Sequence, residues 1–200
     1  MREVVSDSYP LPILGVRLSA GSTCATMLLV LALTSCTSTP RPPPESNQSA
    51  VAGAQEEETL VFRDAFTLQL RVDNENLYEQ HFPANASPYV ADGTIYLFPG
   101  ERFAVDVVAE GDEVFRVSYQ KDPDKGDIAL DFKRVDVQMM LRTENRLQKA
   151  VRFDALMVLP TATEPRTTKL LPIRPGLESF ELWPHPILQL VLTNLTLGEH

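Results

Sequence analysis

Two cysteines, three histidines and one tryptophan in 200 residues leave little material for several common chemistries. Cys24 and Cys36 both stand early, so residues 37–200 contain no thiol, no disulfide and no cysteine-based metal site. That part of the chain must be held together by a hydrophobic core. The histidines are His81, His185 and His200, and none belongs to a His-Glu-x-x-His pair. There is no Gly-x-Ser-x-Gly elbow and no phosphate-cradling glycine loop. No residue pattern asks for a cofactor. Lys/Arg clusters are missing too. Residues 1–35 carry Arg2 and Arg17 against Glu3 and Asp7, so the net charge of −9 belongs entirely to residues 36–200. So acidic a chain is a poor match for nucleic acid or an anionic membrane surface. No apolar run approaches the roughly 20 residues that span a bilayer.

What is present begins with a short apolar run, Ala25–Leu33, broken upstream by Ser19, Gly21, Ser22 and Thr23. It has the length of a signal-peptide h-region. It closes on Leu33-Thr34-Ser35-Cys36, which resembles the lipobox of bacterial lipoprotein signal peptides. The resemblance covers residues 16–36. It implies cleavage between Ser35 and Cys36, a diacylglycerol on the Cys36 sulfur, and acylation of the new amine. The chain is then held in the cell envelope by its lipid. Thr37 stands where an aspartate commonly retains such proteins at the inner membrane of enteric bacteria. The resemblance therefore favours the outer membrane over the inner, facing the periplasm, with display at the cell surface as the alternative. Residues 1–15, with Glu3, Asp7 and two prolines, do not suit a short basic n-region, whereas Val16-Arg17-Leu18-Ser19 supplies one cation. Our hypothesis is that translation starts at Val16. Sequencing the unprocessed precursor tests it, and a peptide beginning at Met1 refutes it.

Residues 36–59 read as the lipidated cysteine and a tether. Thr37–Ser49 is rich in proline and polar residues, and Val51-Ala52-Gly53-Ala54 adds too little apolar surface to fold. Fully extended, Thr37–Thr59 reaches about 75 Å; as a random coil it averages ~27 Å. The acidic run Glu56-Glu57-Glu58 reads as the solvated end of that linker.

Residues 60–200 are long enough for one domain with a sizeable core, and their periodicity is close to two. Phe66, Leu68, Leu70 and Val72 alternate with Thr67, Gln69 and Arg71. Thr94–Phe98 is short and apolar, and Pro99-Gly100 ends it. Phe103, Val105 and Val107 form a face, and Gly111-Asp112 turns the chain into Val114–Lys121. After the Asp122–Asp127 loop, Leu130 and Phe132 share one parity while Val135, Val137, Met139 and Leu141 share the other. That slip predicts a bulge at Lys133-Arg134. Thr143–Arg146 reads as a hairpin turn, with Leu147, Val151, Phe153, Ala155, Met157 and Leu159 returning as a strand; a helix through 147–157 is the alternative, set aside for the β-branched and aromatic alternation. Thr167–Ile173 and Leu177–Trp183 are expected strands around Pro175-Gly176, and Ile187–Leu197 is the last. Asn74–Ser87 is the one place for a short helix. Eight or nine turn-separated strands predict an all-β, antiparallel β-sandwich, with a barrel as the alternative. The composition resembles immunoglobulin-like envelope modules.

Two constellations are candidate sites. Tyr78, His81, Phe82 and Tyr89 sit in a Pro/Asn-rich stretch and read as a recognition loop, or as a plug over one end of the sandwich. Asp122, Asp124 and Asp127 half resemble a calcium loop, because hard cations favour clustered carboxylates on a tight turn. Pro123 equally suits a plain Asp-Pro turn. The expectation that emerges is a non-enzymatic, membrane-anchored lipoprotein whose sandwich binds an envelope protein or other envelope component. The alternatives are a carboxylate-based hydrolase and a carrier of a small apolar or lipid ligand.

Overall fold

A computed structural model describes residues 59–73, 75–136 and 138–198. The expected signal peptide, the expected Ser35/Cys36 cleavage site, residues 36–58 of the expected tether and His200 lie outside the described residues. The described part is all β. β1 (Phe66–Arg71) and β2 (Leu77–Phe82) form a hairpin sheet of their own. The first five-stranded sheet contains β3 (Val90–Ala91), β4 (Thr94–Leu97), β9 (Ala150–Val158), β10 (Arg166–Lys169) and β12 (Gln189–Gly198). Its order is β10-β9-β12-β4-β3. The second contains β5 (Glu101–Glu110), β6 (Glu113–Gln120), β7 (Ile128–Val135), β8 (Gln138–Asn145) and β11 (Glu178–Trp183). Its order is β11-β8-β7-β5-β6. Every pairing is antiparallel, and the two sheets pack together as the β-sandwich expected from the periodicity.

The core follows from alternation. Phe103 on β5, Leu130 on β7 and Thr143 on β8 lie opposite one another across the second sheet, followed by Phe132 and Leu141. From the first sheet Leu97, Ala155, Leu190 and Leu192 join the buried set. Deletion of any one fully buried leucine would leave a void costing about 2–5 kcal/mol. Turn chemistry closes the strands. Phe98-Pro99-Gly100-Glu101 has Gly100 at φ 93° and a Glu101 N–H to Phe98 C=O bond of 3.2 Å, the arrangement that needs proline then glycine. Asp92-Gly93, both at positive φ, make the two-residue link between β3 and β4.

Three local expectations are corrected. The parity slip at Lys133-Arg134 is not a bulge. β7 ends at Val135, the chain reverses through Asp136 at φ 54°, and β8 runs back beside it from Gln138. Nor is Thr143–Arg146 a hairpin turn: Thr143–Asn145 complete β8, and the chain crosses through 146–149 to β9 in the other sheet. Buried Asn145 makes the corner, its side-chain amide donating to the carbonyls of Lys149 and Ile173 at 2.8 Å each. Finally, Asn74–Ser87 holds the strand β2 and no helix, paired residue for residue with β1. Its outward side chains carry Gln69–Glu79 and Thr67–His81 contacts across the hairpin.

Candidate functional site

The most built constellation lies just ahead of β1, around residues 61–63. Residues 61–63 run antiparallel to 85–89. Tyr89 N–H donates to Val61 C=O at 3.0 Å, Arg63 N–H to Ser87 C=O at 3.2 Å, and Asn85 N–H to Arg63 C=O at 3.0 Å. Asn85 sits at φ 63°, a conformation asparagine tolerates better than most residues. This short pairing carries the Arg63 side chain into the protein, where it is only 4% exposed.

Burying a guanidinium is costly unless every donor is met. Here Nε and Nη2 grip the Glu101 carboxylate at 2.6 and 2.7 Å. Nη2 also reaches Tyr96 C=O at 2.5 Å, and Nη1 reaches Pro88 C=O at 2.5 Å. The Ser87 carbonyl and hydroxyl lie farther out, at 3.4 Å each. Glu101 Oε2, the oxygen that Nη2 holds, also accepts the Phe98 N–H at 2.8 Å. The guanidinium carbon lies 4.1 Å from the Tyr89 ring centre and 4.9 Å from that of Phe98, so rings cover the cation that the carboxylate does not. Around this clamp Tyr89 stacks on Tyr119 at 4.2 Å and meets Phe103 edge-on. Phe98 meets Phe66 and Phe82, themselves stacked at 4.8 Å. Desolvation in this aromatic wall, with Tyr89 beside it, pushes the Tyr119 hydroxyl up to about 12.

The four aromatic-cluster residues are thus divided. Phe82 is core, Tyr89 covers the Arg63 cation, and half-buried Tyr78 hydrogen-bonds Gln80. His81 faces solvent on β2, 3.3 Å from the Thr67 hydroxyl. The three aspartates of the 122–127 loop are divided as well. Asp122 accepts from the Asp124 N–H at 3.1 Å and pairs with Lys125, interactions that hold its carboxyl below the usual range. Asp124 faces Arg102 at 3.3 Å, and Asp127 accepts the Val107 N–H at 2.8 Å. Among the described residues no three His, Cys, Asp or Glu side chains converge as metal ligands.

A second feature is a ladder of alternating charge on the outer face of the second sheet. Arg102, Asp131 and Arg142 lie opposite one another on β5, β7 and β8. Lys133 pairs with Asp131 at 2.7 Å, Arg142 grips Glu178 of β11 through Nε and Nη2, and Arg146 holds Glu144 at 2.9 and 3.0 Å. Hydrogen bonds from Arg142 and Arg146 pull the Glu178 and Glu144 carboxyls below their usual range. The notch between Arg102, Asp131, Arg142 and Glu144 holds about 10 Å³, the size of one water. Every cation in the ladder has an anion beside it.

Nothing among protein-family models, curated proteins or solved structures matches this chain. Function has to be argued from the residues alone.

Proposed function

We propose that this chain is an envelope lipoprotein, anchored through acyl chains on Cys36, whose tethered β-sandwich binds a protein or other envelope component and catalyses no reaction. The observation that carries the proposal is Leu33-Thr34-Ser35-Cys36 at the end of a nine-residue apolar run. A Pro-rich linker and a folded domain succeed it at the spacing a tethered module needs. Two or three acyl chains hold a protein at a membrane far better than one. The tether turns partner capture into a local search at raised effective concentration. The outer membrane, facing the periplasm, is the location that Thr37 favours.

Two observations support a binding module over the alternatives. Among the described residues, the carboxyls displaced by their surroundings (Asp73, Asp122, Glu144 and Glu178) are pulled down. A hydrolase built on two carboxylates needs one pushed up to serve as general acid. The space between the sheets is filled by fully buried Phe103, Phe132, Leu130, Leu190 and their neighbours, where a carrier of apolar ligands would keep room.

The test is Cys36→Ala in the native host, with labelled palmitate and chemical crosslinking. Label present in the wild type and lost in the variant, together with one dominant crosslinked envelope component, is the expected result. Equal labelling of both proteins, or of neither, refutes the lipid anchor and removes the localisation with it.

A further inference from the structure

Each five-stranded sheet has two edges, and an edge strand offers unpaired main-chain groups to any strand that aligns with it. Three of the four edges are guarded. β10 is four residues long with exposed Arg166 and Lys169 at its ends. β3 has only two residues. β6 is bulged, Phe115 standing between the Val114–Ala109 and Arg116–Val108 pairs, and its Tyr119 is covered by Tyr89. β11 is neither short nor bulged, and the 170–172 segment reaches only its Glu181 side chain, Leu171 N–H donating to Oε1 at 3.1 Å. Its sequence, Glu178-Ser-Phe-Glu-Leu-Trp183, contains no lysine and no proline, and its register against β8 runs without a break.

The open side of β11 can be read residue by residue. Asn145 N–H donates to Leu177 C=O, so Leu177 faces β8. Successive residues alternate, so Ser179, Glu181 and Trp183 also face β8, while Glu178, Phe180 and Leu182 direct N–H and C=O away from it. The same three residues place their side chains on the outer face. There Phe180 is 57% and Leu182 54% exposed. Glu178, the charged member, is already matched by the Arg142 guanidinium.

We propose that β11 pairs with β11 of a second copy of this chain, antiparallel about a two-fold axis at Phe180. In that register Phe180 faces Phe180, Glu178 faces Leu182, and Ser179 faces Glu181. The outward-facing residues are those that meet, so each exchanges both of its main-chain bonds with the partner copy. No like charges lie directly opposite. Centring the pair on Glu181 sets two carboxylates against each other, and centring it on Ser179 leaves Leu182 opposite Gly176. The register centred on Phe180 is thus the one in which β11 meets its own copy with no like-charge pair and no glycine opposite Leu182. The two second sheets become one ten-stranded sheet. Its outer face has a continuous apolar strip from Phe180, Leu182 and Met140, the β8 residue opposite Leu182. A two-fold dimer, in which the same patch meets itself, is the commonest closed assembly of identical chains, and this one does not depend on lipid anchoring.

The full chain carrying Cys24→Ser and Cys36→Ala has no other thiol and no acyl chain to drive association. Adding Phe180→Cys should give a disulfide-linked species of twice the chain mass under mild oxidation. The Cα atoms of a hydrogen-bonded antiparallel pair lie about 5.5 Å apart, within disulfide reach. Thr67→Cys, exposed on β1, should give none. Sedimentation in mild detergent should show a dimer that Phe180→Lys and Leu182→Lys each weaken at least about tenfold, with circular dichroism unchanged. Both side chains are solvent-facing, so neither variant disturbs the core. A monomer at the highest soluble concentration overturns the proposal, as does a dimer that survives both lysine variants. An adduct of Phe180→Cys with a different envelope protein in cells overturns it in favour of a foreign strand.

Discussion

Replacing Arg63 with alanine tests how the segment ahead of β1 is fastened to the sandwich. The change removes every donor to Pro88 and Tyr96 C=O supplied by the guanidinium and strips the cation from between Tyr89 and Phe98. It also leaves the Glu101 carboxylate, 20% exposed, with the Phe98 amide alone. Removing one partner of a buried ion pair costs about 3–5 kcal/mol, because the remaining charge stays buried and unmatched. Against a total stability of about 5–15 kcal/mol that is a large fraction, corresponding in a domain of this size to a fall in Tm of roughly 15 °C. Arg63→Lys keeps the charge but not the planar fork and should lose about 2 kcal/mol. Urea unfolding followed through Trp183, the single tryptophan and a buried one, provides the assay. Arg102→Ala is the control: Arg102 and Asp124 are both exposed, and their pair should be worth under about 1 kcal/mol. The reasoning fails if Arg63→Ala costs no more than this control.

Two further perturbations rest on the same geometry. A methyl group at Gly126 would meet Ala104 Cβ at 2.5 Å and the Val105 backbone at 3.1 and 3.2 Å, so Gly126→Ala should destabilise by about 1–3 kcal/mol. Adding Ala104→Gly should recover part of that, since the backbone contacts remain; full additivity of the two losses in urea titrations would contradict the clash. Tyr119, raised above its ordinary value of 10 to about 12, keeps its proton in the folded state after the unfolded chain has released it. Its contribution is intact below pH 10 and is lost as pH rises from 10 through about 12. Tyr119→Phe should flatten the fall in stability over that window, and an unchanged alkaline unfolding curve would count against the burial described.

Strands with one apolar parity were legible in the sequence. Phe66–Arg71 alternates because one face is core and the other is not, and Phe103–Val107 and Val151–Leu159 keep that pattern even though Ala104 and Val158 on their second faces are also buried. Reversals without glycine or proline were hidden. Asp136 takes a left-handed conformation that few residues other than glycine favour, so the hairpin it makes looked like a bulge inside one strand. β2 was hidden for a different reason. Leu77 is exposed while Tyr78 and Phe82 turn inward, so both parities carry apolar residues and neither stands out. Asn145 gave no warning either, since a polar residue in a turn-like Thr-Glu-Asn-Arg run normally faces water. The Arg63 clamp had no local signature. A lone arginine ahead of the first strand reads as solvated, and Glu101, Pro88 and Tyr96 reach it only through the fold. The edge position of β11 is likewise a property of strand order, which alternation within a segment does not encode.

Strand order also sets when the protein can become itself. β12 lies between β9 and β4, so a chain that has not yet supplied Gln189–Gly198 holds 94–97 and 150–158 with no backbone between them. A chain threaded outward from its beginning therefore cannot finish the first sheet on the way. Its hydrophobic faces stay open until the late strand slides into the middle, a slow, long-range closure. A chain cut short of Gln189 should remain a substrate for chaperones and proteases rather than a smaller version of the same domain.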